Sequence, residues 1–113
     1  MKDPTSDAIA QLAAAMRTNS ERWFPATHDT AEQVMPLPVF YALGLAGEVG
    51  EVANDIKKLY RDGVTVERQE EVAGELADCF TYLLLLADEL GADLVAEYHR
   101  KVELNEARWG AAA

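Results

Sequence analysis

A single cysteine leaves this chain without the means to form an internal disulfide. Cys79 lies in an apolar segment and reads as a small buried side chain of a reducing compartment. No histidine is near it in sequence, and apolar surroundings raise a thiol pKa, which argues against a nucleophile. Long hydrophobic runs are also missing. The longest, Cys79 to Ala87, is interrupted by Thr81 and falls far short of the ~20 residues of a membrane span. The opening Met-Lys-Asp-Pro-Thr-Ser-Asp lacks the apolar stretch of a signal peptide, so a cytoplasmic location is expected. Basic residues are scarce: ten against twenty acidic ones give a formal charge of −10. That charge opposes binding to a nucleic-acid polymer or an anionic membrane, and a phosphate-bearing partner then requires metal and a local cluster of bases. Neither His28 nor His99 has a glutamate three residues before it, which excludes a di-iron bundle built on Glu-x-x-His.

Half of the 113 residues are hydrophobic, enough for one domain with a single core. An alternating strand pattern is absent, and proline and glycine divide the chain into about four helical segments, an all-α class. The first runs from about Pro4 to Arg22, with Asp3 as N-cap and Pro4 at the first helical position. An irregular connection with Pro25, Pro36 and Pro38 follows, so that residues 1–38 form an N-terminal helix and connection ahead of a core at 39–110. The second helix spans about Val39 to Tyr60 and closes at Gly63. The third begins behind Thr65 and ends before Gly91. The fourth runs from about Asp93 to Arg108, ahead of a featureless alanine tail.

Two acidic repeats carry the chemistry. Glu48-Val-Gly-Glu51 and Glu75-Leu-Ala-Asp78 each set two carboxylates at i,i+3, neighbours on one helix face, with 23 residues between the repeats. Like charges ~4 Å apart repel by ~4 kcal/mol at an effective dielectric near 20. No local base offsets this, because the i+4 positions are Val52, Asp55, Cys79 and Tyr82. Elsewhere the chain supplies such partners, as with Glu97 and Lys101. On a helical wheel Glu48, Glu51 and Asp55 border an apolar arc of Tyr41, Leu45, Val49, Val52 and Ile56, and Glu75, Asp78 and Tyr82 cluster in the same way. Two acidic edges facing inward from two helices have the layout of a divalent-cation site. Hard oxygen donors of this kind suit Mg²⁺, with Mn²⁺ as a substitute.

The third helix predicts an oligomer. Leu83 to Leu86 cover every side of the cylinder, and so small a domain can hardly bury all of them, which points to a homodimer or homotetramer. Gly44, Gly47 and Gly50 each weaken the second helix by up to ~1 kcal/mol relative to alanine, so another backbone or a ligand is expected to approach there.

Taken together, Gly47-Glu48-Val-Gly-Glu51, Lys57-Lys58, Glu75-Leu-Ala-Asp78, Tyr82 and the terminal Lys101, Asn105, Arg108 and Gly110 resemble the MazG-like family of all-α nucleoside triphosphate pyrophosphohydrolases, over about residues 39 to 110. The resemblance implies an oligomeric helical bundle that cleaves (deoxy)nucleoside triphosphates to monophosphate and pyrophosphate. It makes Glu48, Glu51, Glu75 and Asp78 the Mg²⁺ ligands, and gives Tyr82, Lys101, Asn105 and Arg108 places near the phosphates or sugar. Glu51 is the candidate general base. Trp23-Phe24 resembles an aromatic position that stacks on the base, and equally fits a pair closing the core. His28 is either a nucleotide contact or an exposed loop residue. A phosphoribosyl-ATP pyrophosphohydrolase and a non-catalytic dimeric interaction protein with a vestigial metal site are the alternatives.

Overall fold

The Asp3 carboxylate accepts from the Thr5 backbone N–H at 2.8 Å and Pro4 takes the first helical position, so helix α1 (Pro4–Trp23) starts on both of its sequence signals. This is a computed structural model, and it describes residues 3–30 and 33–110. The expected alanine tail lies outside the described residues. Behind α1 come α2 (Pro25–His28), α3 (Leu37–Asp62), α4 (Val66–Glu89) and α5 (Leu94–Trp109), with no strand among the described residues. Thr65 caps α4 through the Arg68 N–H, and Asp93 caps α5 through the N–H groups of Val95 and Ala96. Gly63, at φ 113°, makes the turn from α3 to α4 that a side chain would strain. The one-turn α2 is the element that periodicity misses, since four residues are too short to display any.

Helices α3 and α4 form an antiparallel hairpin, and α1 lies across α4. Tyr41, Leu59, Val72, Leu84, Leu85 and Ala87 are the buried residues of the hairpin, joined by Ala13 of α1. Arg17 fixes α1 by pairing with both Asp88 and Glu89 at the end of α4. Partly exposed pairs of this kind contribute about 1 kcal/mol or less, though here a cation also meets the negative end of a helix. Ser6 Oγ donates to Asp93 Oδ1 at 3.1 Å and ties α1 to the start of α5.

The chain is open for its size. Its radius of gyration is 17.4 Å, against roughly 13 Å for a compact domain of this length. Its accessible surface of 8206 Å² exceeds by about 2000 Å² what a monomer of this mass exposes. The leucine run is split accordingly: Leu84 and Leu85 are buried within the chain, whereas Leu83 is exposed beside Phe80 and Leu76.

The three glycines of α3 separate in the same way. A Cβ on Gly44 would lie 2.5 Å from the Tyr82 ring, whereas one on Gly47 or Gly50 would meet nothing in the chain within 4 Å. Gly44→Ala is therefore expected to destabilise the protein by about 1–3 kcal/mol through overpacking. Gly47→Ala should raise the stability of the isolated chain by up to ~1 kcal/mol through helix propensity. Urea unfolding measures both, and equal effects at the two positions would contradict the packing described.

Candidate active site

The hairpin sets the acidic repeats against each other along its seam. The inward line of α3 is Tyr41, Gly44, Glu48, Val52, Asp55 and Leu59, and the apolar arc expected from the wheel is rotated: Val49 and Ile56 are exposed. Glu48 is half-buried, and its pKa is raised by partial desolvation first and then by the charges of Glu51 and Asp78. Glu75 is pushed up to about 7, chiefly by a hydrogen bond shared with Asp55, then by desolvation and by the charges of Asp55, Glu51 and Glu48. Two carboxylates that share one proton in this way cannot both ionise cheaply. Glu75 Oε2 is buried with no hydrogen-bond partner. Cys79, beside them, is half-buried and not fully buried as expected, and its thiol is pushed up by desolvation and by Glu48 and Asp78, which disfavours a nucleophile.

Asp55 is thus a fifth member of the seam, one that the repeat pattern does not name. Its signal is its place four residues after Glu51, on the same wheel edge. Among the described residues no lysine or arginine forms a hydrogen bond or ion pair with Glu48, Glu51, Asp55, Glu75 or Asp78.

This donor set suits a hard divalent cation: it is all carboxylate oxygen, one oxygen is buried and unpartnered, and the members repel one another. Among the described residues no three His, Cys, Asp or Glu side chains already close into a metal cage. Mg²⁺ does not demand one, because it normally keeps waters and completes its shell with substrate oxygens.

Next to the seam is a cleft of about 580 Å³, within the range of small-molecule sites. Trp23, Phe24 and Phe40 line one end, Glu48 and Asp78 the other, and Tyr82 stands between. Asn19, Ser20 and Thr27 add polar groups on the aromatic side. Tyr41, 2 % exposed, forms part of the wall; burial pushes its phenol pKa up, while a hydrogen bond with Ser20 opposes the shift. Ser20 Oγ is also 2.9 Å from His28 Nε2. His28 is therefore half-buried and holds the α1–α2 corner, and it is not among the lining residues. Tyr82 is pushed up by burial first and by Glu48 and Asp78 next. A second cleft of about 650 Å³ lies between the start of α1 and the α4–α5 turn. Three of its four carboxylates are already used, Asp3 and Asp93 as caps and Asp88 with Arg17, and Asp7 is the fourth.

The expected phosphate row does not join the seam within one chain. Lys101, Asn105 and Arg108 are exposed on α5, whose main packing is against α1. Glu97 pairs with Arg100, at 2.7 and 2.9 Å, in place of Lys101, since a guanidinium offers two donors to one carboxylate. Arg108 stacks on Trp109 at 4.7 Å.

A family model described as the MazG-like family matches residues 48–113, a span that opens on the first seam carboxylate and includes both repeats and α5. The gene 37 protein of Mycobacterium phage L5 is 33% identical over 72 residues, which cover 61% of this chain and 63% of that protein. The match thus spans less than two thirds of the relative's length. No solved structure matches the chain.

The raised Glu75 pKa sets a direction for stability. Between pH 4.5 and about 7 the folded protein holds a proton that the unfolded chain has released, so metal-free protein loses stability as pH rises through that window. Glu75→Gln is expected to flatten this part of the melting-temperature profile recorded in EDTA, and Mg²⁺ to oppose the loss in wild type. A variant that kept the wild-type slope would mean that the raised carboxyl is not Glu75.

Proposed function

The chain belongs to the MazG-like family, which is of nucleotide pyrophosphohydrolase type, and on that premise we propose that it hydrolyses (deoxy)nucleoside triphosphates at the α-phosphorus to nucleoside monophosphate and pyrophosphate, with Mg²⁺. The observation that carries this reading is the single cleft with an aromatic end and a carboxylate end, bridged by Tyr82. A base stacked on Trp23 contributes roughly 1–3 kcal/mol and leaves the phosphates pointing toward Glu48 and Asp78. Tyr82, which lines the same cleft, would meet the sugar.

Glu48, Glu51, Glu75 and Asp78 are the residues that would hold Mg²⁺, or Mn²⁺ in its place. When bound, the ion supplies charge neutralisation for the triphosphate and activation of water. Glu51 is the exposed member of its repeat and is assigned as general base, taking the proton of the attacking water. Attack forms a bond from the water oxygen to the α-phosphorus and breaks the bond to the α,β-bridging oxygen, which leaves with pyrophosphate. Lys101, Asn105 and Arg108 are proposed to meet the charge that builds on the leaving group.

Pyrophosphate release from the common NTPs and dNTPs, with and without Mg²⁺, tests the reading. In ¹⁸O-labelled water the label is expected on the monophosphate alone. Label in orthophosphate, with a nucleoside diphosphate as co-product, would overturn it. Glu51→Gln should abolish turnover while leaving the fold intact, since it removes one of several repelling charges. Trp23→Ala should raise KM by roughly 5- to 100-fold with kcat little changed, the pattern of lost ground-state binding.

A further inference from the structure

We propose that His28 is a positioning residue for the aromatic end of the cleft: through Ser20 it holds the one-turn helix α2 against α1, and so sets Phe24 where a base is received. The inference rests on the reading of this cleft as the nucleotide site, and it extends that reading to a side chain that does not line the cleft.

Phe24 needs such a hold. It is the junction between two helices, closing α1 by donating its N–H to Ser20 O at 2.9 Å and opening α2 with φ −131° and ψ 61°. It gives α2 no side-chain cap. That helix, Pro25-Ala-Thr-His28, is a single turn closed by two backbone bonds of 3.1 Å, Thr27 N–H to Phe24 O and Asp29 N–H to Pro25 O. An isolated turn fixes several dihedrals per hydrogen bond and is unfavourable by itself. No residue of α2 is buried and Phe24 is 60% exposed, so apolar packing within the chain fixes neither. Trp23 differs. It is the last residue of α1, and the Arg22 guanidinium lies 5.4 Å from its ring centroid, so its place is set before α2 begins.

The hold that the structure shows runs inward from His28. Its Nε2 is 2.9 Å from Ser20 Oγ, and Ser20 is also hydrogen-bonded to Tyr41, the most deeply buried side chain of α3. A phenol so buried needs an acceptor for its proton, and Ser20 Oγ supplies one; the proton of the serine is then directed to His28 Nε2. One polar chain thus joins three helices, with Tyr41 on α3, Ser20 on α1 and His28 on α2. Tyr41 is anchored by burial and Ser20 by a helix of 20 residues, so the member placed by the chain is His28. His28 ends the turn that Phe24 begins, and a displacement of α2 therefore carries Phe24 with it.

Kinetics on substrates with and without a base test this. The common NTPs and dNTPs are compared with an abasic deoxyribose triphosphate, which keeps the sugar and phosphates. His28→Leu is expected to raise KM for the nucleotides about 3- to 10-fold with kcat little changed, the effect of one lost hydrogen bond on ground-state binding. His28→Gln keeps a hydrogen-bonding group within reach of Ser20 and should bring KM back to within about twofold of wild type. On the abasic substrate His28→Leu and wild type should share one KM. In a Phe24→Ala background His28→Leu should add nothing, because it acts through the ring already removed. An unchanged nucleotide KM in His28→Leu, no rescue by glutamine, an equal rise on the abasic substrate, or independent effects at positions 24 and 28 would overturn the proposal.

A second readout needs no turnover. Amide hydrogen exchange should quicken about 3- to 10-fold at Thr27 and Asp29 in His28→Leu and in Ser20→Ala, return toward wild type in His28→Gln, and stay unchanged at Leu84 and Leu85 of the hairpin. Unchanged exchange at Thr27 and Asp29 in His28→Leu would refute the tie. Should wild type turn over no nucleotide while these two amides quicken, the hydrolase reading fails and the placement of Phe24 by His28 stands.

Discussion

Repulsion along the α3–α4 seam is the constraint around which the rest of the chain is arranged. Glu48 and Asp55 occupy the inward line of α3, in the places where a helix hairpin of this length would ordinarily set leucine or valine. Each carboxylate there forgoes apolar burial and adds like charge, and Asp55 beside Glu75 holds the Glu75 carboxyl well above the usual carboxylate range. The hairpin is consequently held by what lies at its two ends. Tyr41, Leu84 and Leu85 close one end and Leu59 and Val72 the other, with the acidic stretch between them. A seam of this kind, all carboxylate and with no intrachain cation paired to it among the described residues, is marginal alone.

The openness of the chain follows from the same arrangement. Because the seam is given over to charge, apolar residues that would fill it are displaced to the flanks, where Val49, Ile56, Leu76 and Phe80 are exposed. Contiguous apolar surface on that scale is uncommon on isolated soluble monomers. The acidic seam and the exposed flanks are therefore two sides of one arrangement, in which charge along the seam leaves apolar surface outside it.

Much of this was legible in the sequence. Asp3 and Thr65 cap the helices predicted for them, and the boundaries fall within one or two residues, because capping depends on local side-chain chemistry. The direction of the α3 face was less legible. A wheel places the core at the centroid of the apolar residues, and on α3 that centroid lies between two burials, one against α4 and one left exposed. The true inward line is rotated toward Glu48 and Asp55. The wheel set Asp55 on the same acidic edge, but it falls outside the i,i+3 pair, and its part beside Glu75 shows only when α4 is brought against α3. The pairing of Glu97 with Arg100 was a choice between two neighbours at equivalent spacing, decided by guanidinium geometry. No local pattern records that α5 leaves its own hairpin.

The aromatic cleft and the carboxylate seam are built on different elements, and Tyr41 joins them. It belongs to α3, its ring stands 6.4 Å from that of Tyr82 on α4, and its hydroxyl is engaged by Ser20 on α1. Ser20 in turn meets His28, so the polar chain reaches the α1–α2 corner from which Trp23 and Phe24 project. A fully buried phenol must have a partner, and losing it leaves an unsatisfied group that costs about 1–3 kcal/mol. That cost fixes the rotation of α1 about its axis, while Arg17 fixes its position along α4 by holding Asp88 and Glu89. With both settled, the distance from the aromatic end of the cleft to Glu48 is set by helices and not by the irregular connection. The span between the aromatic and acidic ends of the cleft gains its definition from that rigidity.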